Sequence, residues 1–115
     1  MSWLKKDKII SLLLEMVRQP SISGTKQEVE MSYKIKEILE RIDYFKENPE
    51  HLFLEKLKDD PLQRNFVAAL LKGEKNTNET IILMGHMDVV DILDYGDEMD
   101  FAFKPLELTE NLKEK

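Results

Sequence analysis

Early in the chain the apolar positions recur with the period of a helix. Ile9, Leu12, Leu13, Met16 and Val17 follow the i, i+3, i+4, i+7, i+8 spacing of one helix face. This predicts a core-facing amphipathic helix that stops before Gln19-Pro20, because a residue preceding proline is pushed toward extended conformations. A second helix is expected after Ser23-Gly24. There Thr25 and Glu28 have the spacing of a capping box, and Met31, Ile35, Ile38, Leu39 and Ile42 form its core stripe. Asn48-Pro49 offers an N-cap and a first-turn proline, so Leu52, Phe53 and Leu57 predict a short third helix ending near Asp59-Asp60-Pro61.

The pattern then changes. Asn65 to Leu71 and Thr80 to Met84 are short apolar runs separated by the polar stretch from Lys72 to Glu79, which predicts a β-hairpin of core strands. The first two helices are expected to cover one face of that sheet. The order of elements, helices first and then strands, places the chain in the α/β class. The spacing of Asp88, Asp91, Asp94, Asp97 and Asp100, with Glu98 beside them, differs from that of a calcium-binding EF-hand loop and predicts a solvated acidic loop. The closing run from Glu107 to Lys115 is too charged to end a core and is expected to be exposed.

Composition narrows the function classes. The chain has 115 residues, the length of one ordinary domain. Its 17 basic and 23 acidic residues give a formal charge of −6, which argues against a nucleic-acid or anionic-membrane partner. Lys5, Lys6 and Lys8 before an apolar run imitate a secretion signal, but Glu15 and Arg18 interrupt it. No run is long enough to span a membrane. Zero cysteines exclude disulfides and thiolate metal sites, leaving His and carboxylates as candidate ligands. A cytoplasmic location is expected. The stretch Lys72-Gly73-Glu74-Lys75 lacks the spacing of a phosphate-binding loop.

The candidate chemistry lies at the end of the second predicted strand, in Gly85-His86-Met87-Asp88-Val89-Val90. The C-terminal ends of strands are where α/β sheets keep their sites. Imidazole is the commonest protein ligand for zinc, and a nearby carboxylate can take the proton on its other nitrogen, fixing the tautomer. Residues two apart on an extended chain project to the same side, so His86 and Asp88 suit those two roles. A hydrogen-bonded histidine at a strand end is the plainer alternative. His51 is expected to be exposed or capping, and Arg64 and Asn65 to make strand-edge hydrogen bonds.

Gly85-His86-Met87-Asp88-Val89-Val90 resembles the first metal motif of the zinc amidohydrolases and exopeptidases of peptidase family M-twenty, which holds aminoacylases, carboxypeptidases, dipeptidases and succinyl-diaminopimelate desuccinylases. The segment from Pro20 to Glu28 is similar to that family's Pro-Ser-x-Ser-Gly segment between its first two helices, and Arg64-Asn65-Phe66-Val67-Ala68 to the strand preceding the metal strand. Tyr44-Phe45-Lys46-Glu47-Asn48-Pro49, Asp94-Tyr95-Gly96 and Ala102-Phe103-Lys104-Pro105 look most like the arginine-utilisation branch. The resemblance spans essentially the whole chain and only the beginning of the family's pattern.

That resemblance implies the N-terminal part of a zinc-exopeptidase-like three-layer α/β/α catalytic domain, with residues 1–115 an incomplete portion of a single metallohydrolase domain. It implies a hydrolase of peptide or amide bonds, in arginine or amino-acid catabolism, acting on a small peptide or acyl-amino acid. His86 would be a metal ligand, and Asp88 would serve catalysis by orienting it. The complete family site holds two zinc ions, and its remaining ligands belong to later motifs that do not occur after Val90. A catalytic zinc takes three protein ligands and an open position. One histidine therefore implies at most weak zinc binding and no turnover by these residues alone. The rival reading is a non-catalytic structural or partner-binding unit without metal. Either way, bare sheet surface implies self-association.

Overall fold

The computed structural model describes residues 5–115. Helix α1 (Lys6–Val17) ends where Pro20 requires, closed by the Arg18 amide donating to the Leu14 carbonyl and the Gln19 amide to the Met16 carbonyl. Its apolar stripe differs from expectation in being largely uncovered: Ile9, Leu12, Leu13 and Val17 are exposed, and no residue of α1 is buried. An ionic contact ties α1 to the end of the next helix. The Arg41 guanidinium donates to both carboxylate oxygens of Glu15, at 2.9 and 2.7 Å, and also to Glu37.

Helix α2 (Gln27–Glu40) begins with a reciprocal cap of the kind its sequence predicts, shifted slightly in register. Thr25 Oγ1 accepts the Gln27 amide, and the Glu28 carboxylate reaches back to the Gly24 amide at 2.7 Å. Gly24 has φ of +77°, a left-handed turn that glycine adopts without a Cβ penalty. Along the expected stripe Met31 is buried, Ile35, Ile38 and Leu39 are half-buried, and Ile42 is exposed. A short helix, α3 (Asp43–Glu47), follows and buries Phe45.

The third predicted helix does not form. Pro49 occupies the first position of a single 3-10 turn, Pro49–His51, after which the chain becomes strand β1 (Leu52–Lys56). Leu52 and Leu54 turn inward and alternate with Phe53 and Glu55, so the period is two. β1 pairs antiparallel with β2 (Asn65–Ala69), in the register Leu52 with Ala69 through Lys56 with Asn65. The predicted strand at Asn65 to Leu71 is therefore present, but its partner precedes it. Residues 80–84 form no strand, and the hairpin expected between them and β2 is absent. The class is α/β all the same, with helices first and a two-stranded antiparallel hairpin after them.

The β1–β2 connection, residues 57–64, is tied by Asp60. Its carboxylate accepts the Arg64 backbone amide at 2.7 Å and two guanidinium N–H groups at 3.0 and 2.8 Å. Asp59 and Gln63 both sit at positive φ on either side of it. Helix α2 packs across both strands. At the centre of that contact Asn65 donates to the fully buried Ser32 hydroxyl at 3.0 Å, and Ser32 in turn donates to the Val29 carbonyl.

After β2 the chain is largely exposed as far as Gly85. A 3-10 stretch, Leu93–Phe101, then replaces the predicted acidic loop, kinked at Gly96 with φ of +54°. Asp91 starts this stretch by accepting the Leu93 amide at 2.9 Å, while Asp94, Asp97 and Asp100 are exposed. Residues beyond Lys104 form helix α4 (Pro105–Lys113), mostly exposed as expected although helical.

Candidate metal-binding loop

His86 and Asp88 lie on an extended loop, and the structure brings them together as their two-residue spacing predicts. His86 Nδ1 is 2.8 Å from the Asp88 carbonyl oxygen and 3.2 Å from Asp88 Oδ1. Both partners can only accept, so the neutral ring carries its proton on Nδ1. Nε2 is left with its lone pair on a side chain that is 85% exposed.

The loop is held from a distant part of the sequence. Ile22 and Val89 form a parallel bridge, in which the Ser23 amide donates to the Val89 carbonyl at 2.8 Å and the Val89 amide to the Ser21 carbonyl at 2.9 Å. The Ser23 hydroxyl lies 2.6 Å from Asp88 Oδ2 and 3.0 Å from the Val89 carbonyl. Its bond is the main influence holding the Asp88 carboxyl below the usual carboxylate range, with its own backbone amide and His86 contributing less. Asp88 is thus a carboxylate at neutral pH, able to accept from Ser23 and His86 together.

Two open cavities meet at this pair. One, of about 280 Å³, is walled by Glu28, Leu57, Arg64 and Asn65 on the side away from the loop. The Arg64 guanidinium lies 3.5 Å from Glu28 and bridges it to Asp60. The other, of about 390 Å³, lies between the loop from His86 to Ile92 and side chains of α1, α2 and the 3-10 stretch, among them Met16, Met31 and Tyr95. The sequence suggested only edge hydrogen bonds for Arg64 and Asn65. The structure assigns Arg64 to the Asp60 carboxylate and Asn65 to a buried bond with Ser32. Ser23 was legible only as part of the Pro20 to Glu28 segment.

His51 lies apart from this pair and is not exposed: its side chain is 13% accessible, and Nδ1 is hydrogen-bonded with the Tyr44 hydroxyl at 2.8 Å. Tyr44 Oη accepts the Lys72 amide, so the Tyr44–His51 pair helps anchor the chain leaving β2. Among the described residues no group of three or more His, Cys, Asp or Glu side chains is arranged to hold a metal ion. The residues present fit one coordination position, at His86 Nε2. Among the described residues no helix is long and apolar enough to cross a membrane.

The fold and loop define an α/β unit presenting one oriented imidazole. Comparison with known proteins connects it to particular relatives. The chain is 39% identical to the uncharacterized protein YqjN of Bacillus subtilis (strain 168) over 115 residues, which is 100% of this chain and 20% of that protein. It is 33% identical to Protein RocB of the same organism over 104 residues, 90% of this chain and 18% of that protein. The chain is related to both, and it spans about a fifth of the length of these curated relatives. No protein-family model matches it, and no solved structure matches it.

Proposed function

We propose that this chain is the first metal-bearing segment of a longer zinc-dependent hydrolase of peptide or amide bonds, in the cytoplasm, with a small peptide or acyl-amino acid as substrate. The observation that carries the proposal is the His86–Asp88 contact, which commits the Nδ1 proton and leaves Nε2 free. A metal-ligating histidine commonly donates its other ring N–H to a carboxylate or carbonyl, and this one faces both. Zinc at such a site supplies Lewis acidity toward a carbonyl oxygen and a nucleophile from water at neutral pH. The remaining ligands would come from polypeptide outside these 115 residues. The relation to Protein RocB supports assigning the chain to the arginine-utilisation branch that its sequence resembles, and with it a role in arginine or amino-acid catabolism.

Calorimetric titration of the 115-residue chain with zinc chloride tests the reading. Weak saturable uptake is expected, lost in His86→Ala, with no hydrolysis of acyl-amino acids even in excess zinc. Equal uptake by both proteins would remove His86 as a ligand and leave the non-catalytic reading. Robust turnover abolished by His86→Ala would instead show that the site is complete within this chain.

A further inference from the structure

We infer that Ser23 is a positioning residue for His86, holding the Asp88 carboxylate as a second acceptor, beside the Asp88 carbonyl, for the proton on Nδ1. The His86 ring is open to water, which competes for both of its nitrogens. Its contacts to Asp88, through the carbonyl at 2.8 Å and Oδ1 at 3.2 Å, span only two residues of a loop without regular structure, so they are no firmer than whatever fixes Asp88. What fixes Asp88 comes from 65 residues earlier in the chain.

The backbone bridge between Ile22 and Val89 sets the path of the loop. It leaves the Asp88 carboxylate free to rotate. The Ser23 hydroxyl removes that freedom. It has one proton to give, and the 2.6 Å approach to a charged oxygen is the stronger of its two contacts. With Oδ2 engaged by Ser23, Oδ1 is turned toward His86 Nδ1. Ser23 is itself exposed, so its hydroxyl serves this contact and little packing depends on it.

The relay Ser23 to Asp88 to His86 therefore favours the Nδ1–H tautomer and keeps Nε2 available to a metal cation. The last clause alone rests on the metal-binding reading. The tautomer itself does not. That separation allows the two to fail independently.

The test is long-range 1H–15N correlation of the labelled 115-residue chain at pH about 9, above the ordinary imidazole range, where the two ring nitrogens of a neutral histidine have distinct shifts. Wild type, Ser23→Ala, Ser23→Thr and Ser23→Val are compared. Thr and Val have the same shape, so only the hydroxyl separates them. Wild type and Ser23→Thr are expected to show His86 protonated on Nδ1, while the Ala and Val variants, which keep the Asp88 carbonyl but lose the held carboxylate, gain a measurable share of Nε2–H. Amide exchange at Val89 reports whether the backbone bridge survives in each. A merely structural role would lower that protection equally in Thr and Val. One tautomer common to all four proteins, or Nε2–H in wild type, would overturn the inference.

Zinc chloride is then added. A perturbation at Nε2, with affinity roughly 10-fold weaker in Ser23→Val than in Ser23→Thr, is expected from the loss of such outer partners. Equal zinc affinity in Thr and Val alongside different tautomers would overturn the link from Ser23 to the metal. Absence of any zinc effect on wild-type His86, with the tautomer difference intact, would sink the metal reading and leave the relay standing.

Discussion

Strand β2 and the stretch 80–84 carry similar sequence, Phe66-Val67-Ala68-Ala69 against Ile81-Ile82-Leu83-Met84, yet only β2 is paired. β2 has β1 along one edge and α2 across one face, with Asn65 bonded into the buried Ser32. The stretch 80–84 has no such support, and Ile81, Ile82, Leu83 and Met84 are 87%, 77%, 91% and 93% exposed. Apolar, β-branched sequence specifies a capacity to be a strand. Whether the capacity is used depends on which edge is available. The radius of gyration of 17.2 Å carries the same message, since a compact domain of 100 residues has about 13 Å.

The largest expected effect separates the two regions by stability. Phe45 is buried in α3, the helix between α2 and the turn that opens β1, with Tyr44 edge-on to its ring at 5.2 Å between centroids. Phe45→Ala should cost about 3 kcal/mol, the lower end for truncating a buried Phe. Leu83→Ala should stay within about 0.5 kcal/mol, as for surface substitutions. Equilibrium unfolding in urea measures both. Comparable losses would mean that residues 80–84 are packed in solution and that the comparison fails.

This difference also accounts for what was legible in the sequence. The ends of α1 and α2 follow from local chemistry: Pro20 stops one, and Thr25 with Glu28 starts the other. β2 was legible from its own residues. β1 was not, because Pro49 starts a helical turn and Leu52, Phe53 and Leu57 also satisfy a helical count, while the edge that makes Leu52 to Lys56 a strand lies across a loop. The apolar stripe of α1 stays uncovered against expectation for a related reason. Amphipathic spacing identifies the face that can be covered without identifying the cover. At the site, the His86–Asp88 contact was legible because two-residue spacing is local. The Ser23 contact was not, since 65 residues intervene and nothing in Ser-Ile-Ser-Gly names its target.

A second difference concerns association. An apolar extended run with unpaired backbone is a template for another chain. We propose that a second copy pairs there, so wild type should sediment as a dimer or larger species. The double variant Ile81→Lys with Leu83→Lys should sediment as a monomer, because like charges brought into the same contact oppose pairing. Its unfolding midpoint, measured at low concentration, should match wild type. A monodisperse wild-type monomer at high concentration would show that exposure alone does not make 80–84 a contact surface.

The smallest expected effect sharpens the account of why β1 and β2 hold together when 80–84 has no partner. The Asp60 carboxyl lies below its ordinary value of 3.8, first through the Arg64 guanidinium and then through the Arg64 backbone amide. A carboxyl depressed in the folded state contributes stability above its unfolded pKa, and loses it as pH falls through the folded value. The Asp60–Arg64 pair should therefore support the hairpin fully at neutral pH and progressively less below about pH 4. Asp60→Asn keeps the shape and removes the charge. The gap in unfolding midpoint between wild type and Asp60→Asn should be widest near pH 7 and close on acidification. It should also narrow in about 1 M salt, where the screening length falls to about 3 Å. A gap constant across both series would assign the role of Asp60 to its neutral hydrogen bonds and leave the ion pair without a part in closing the hairpin.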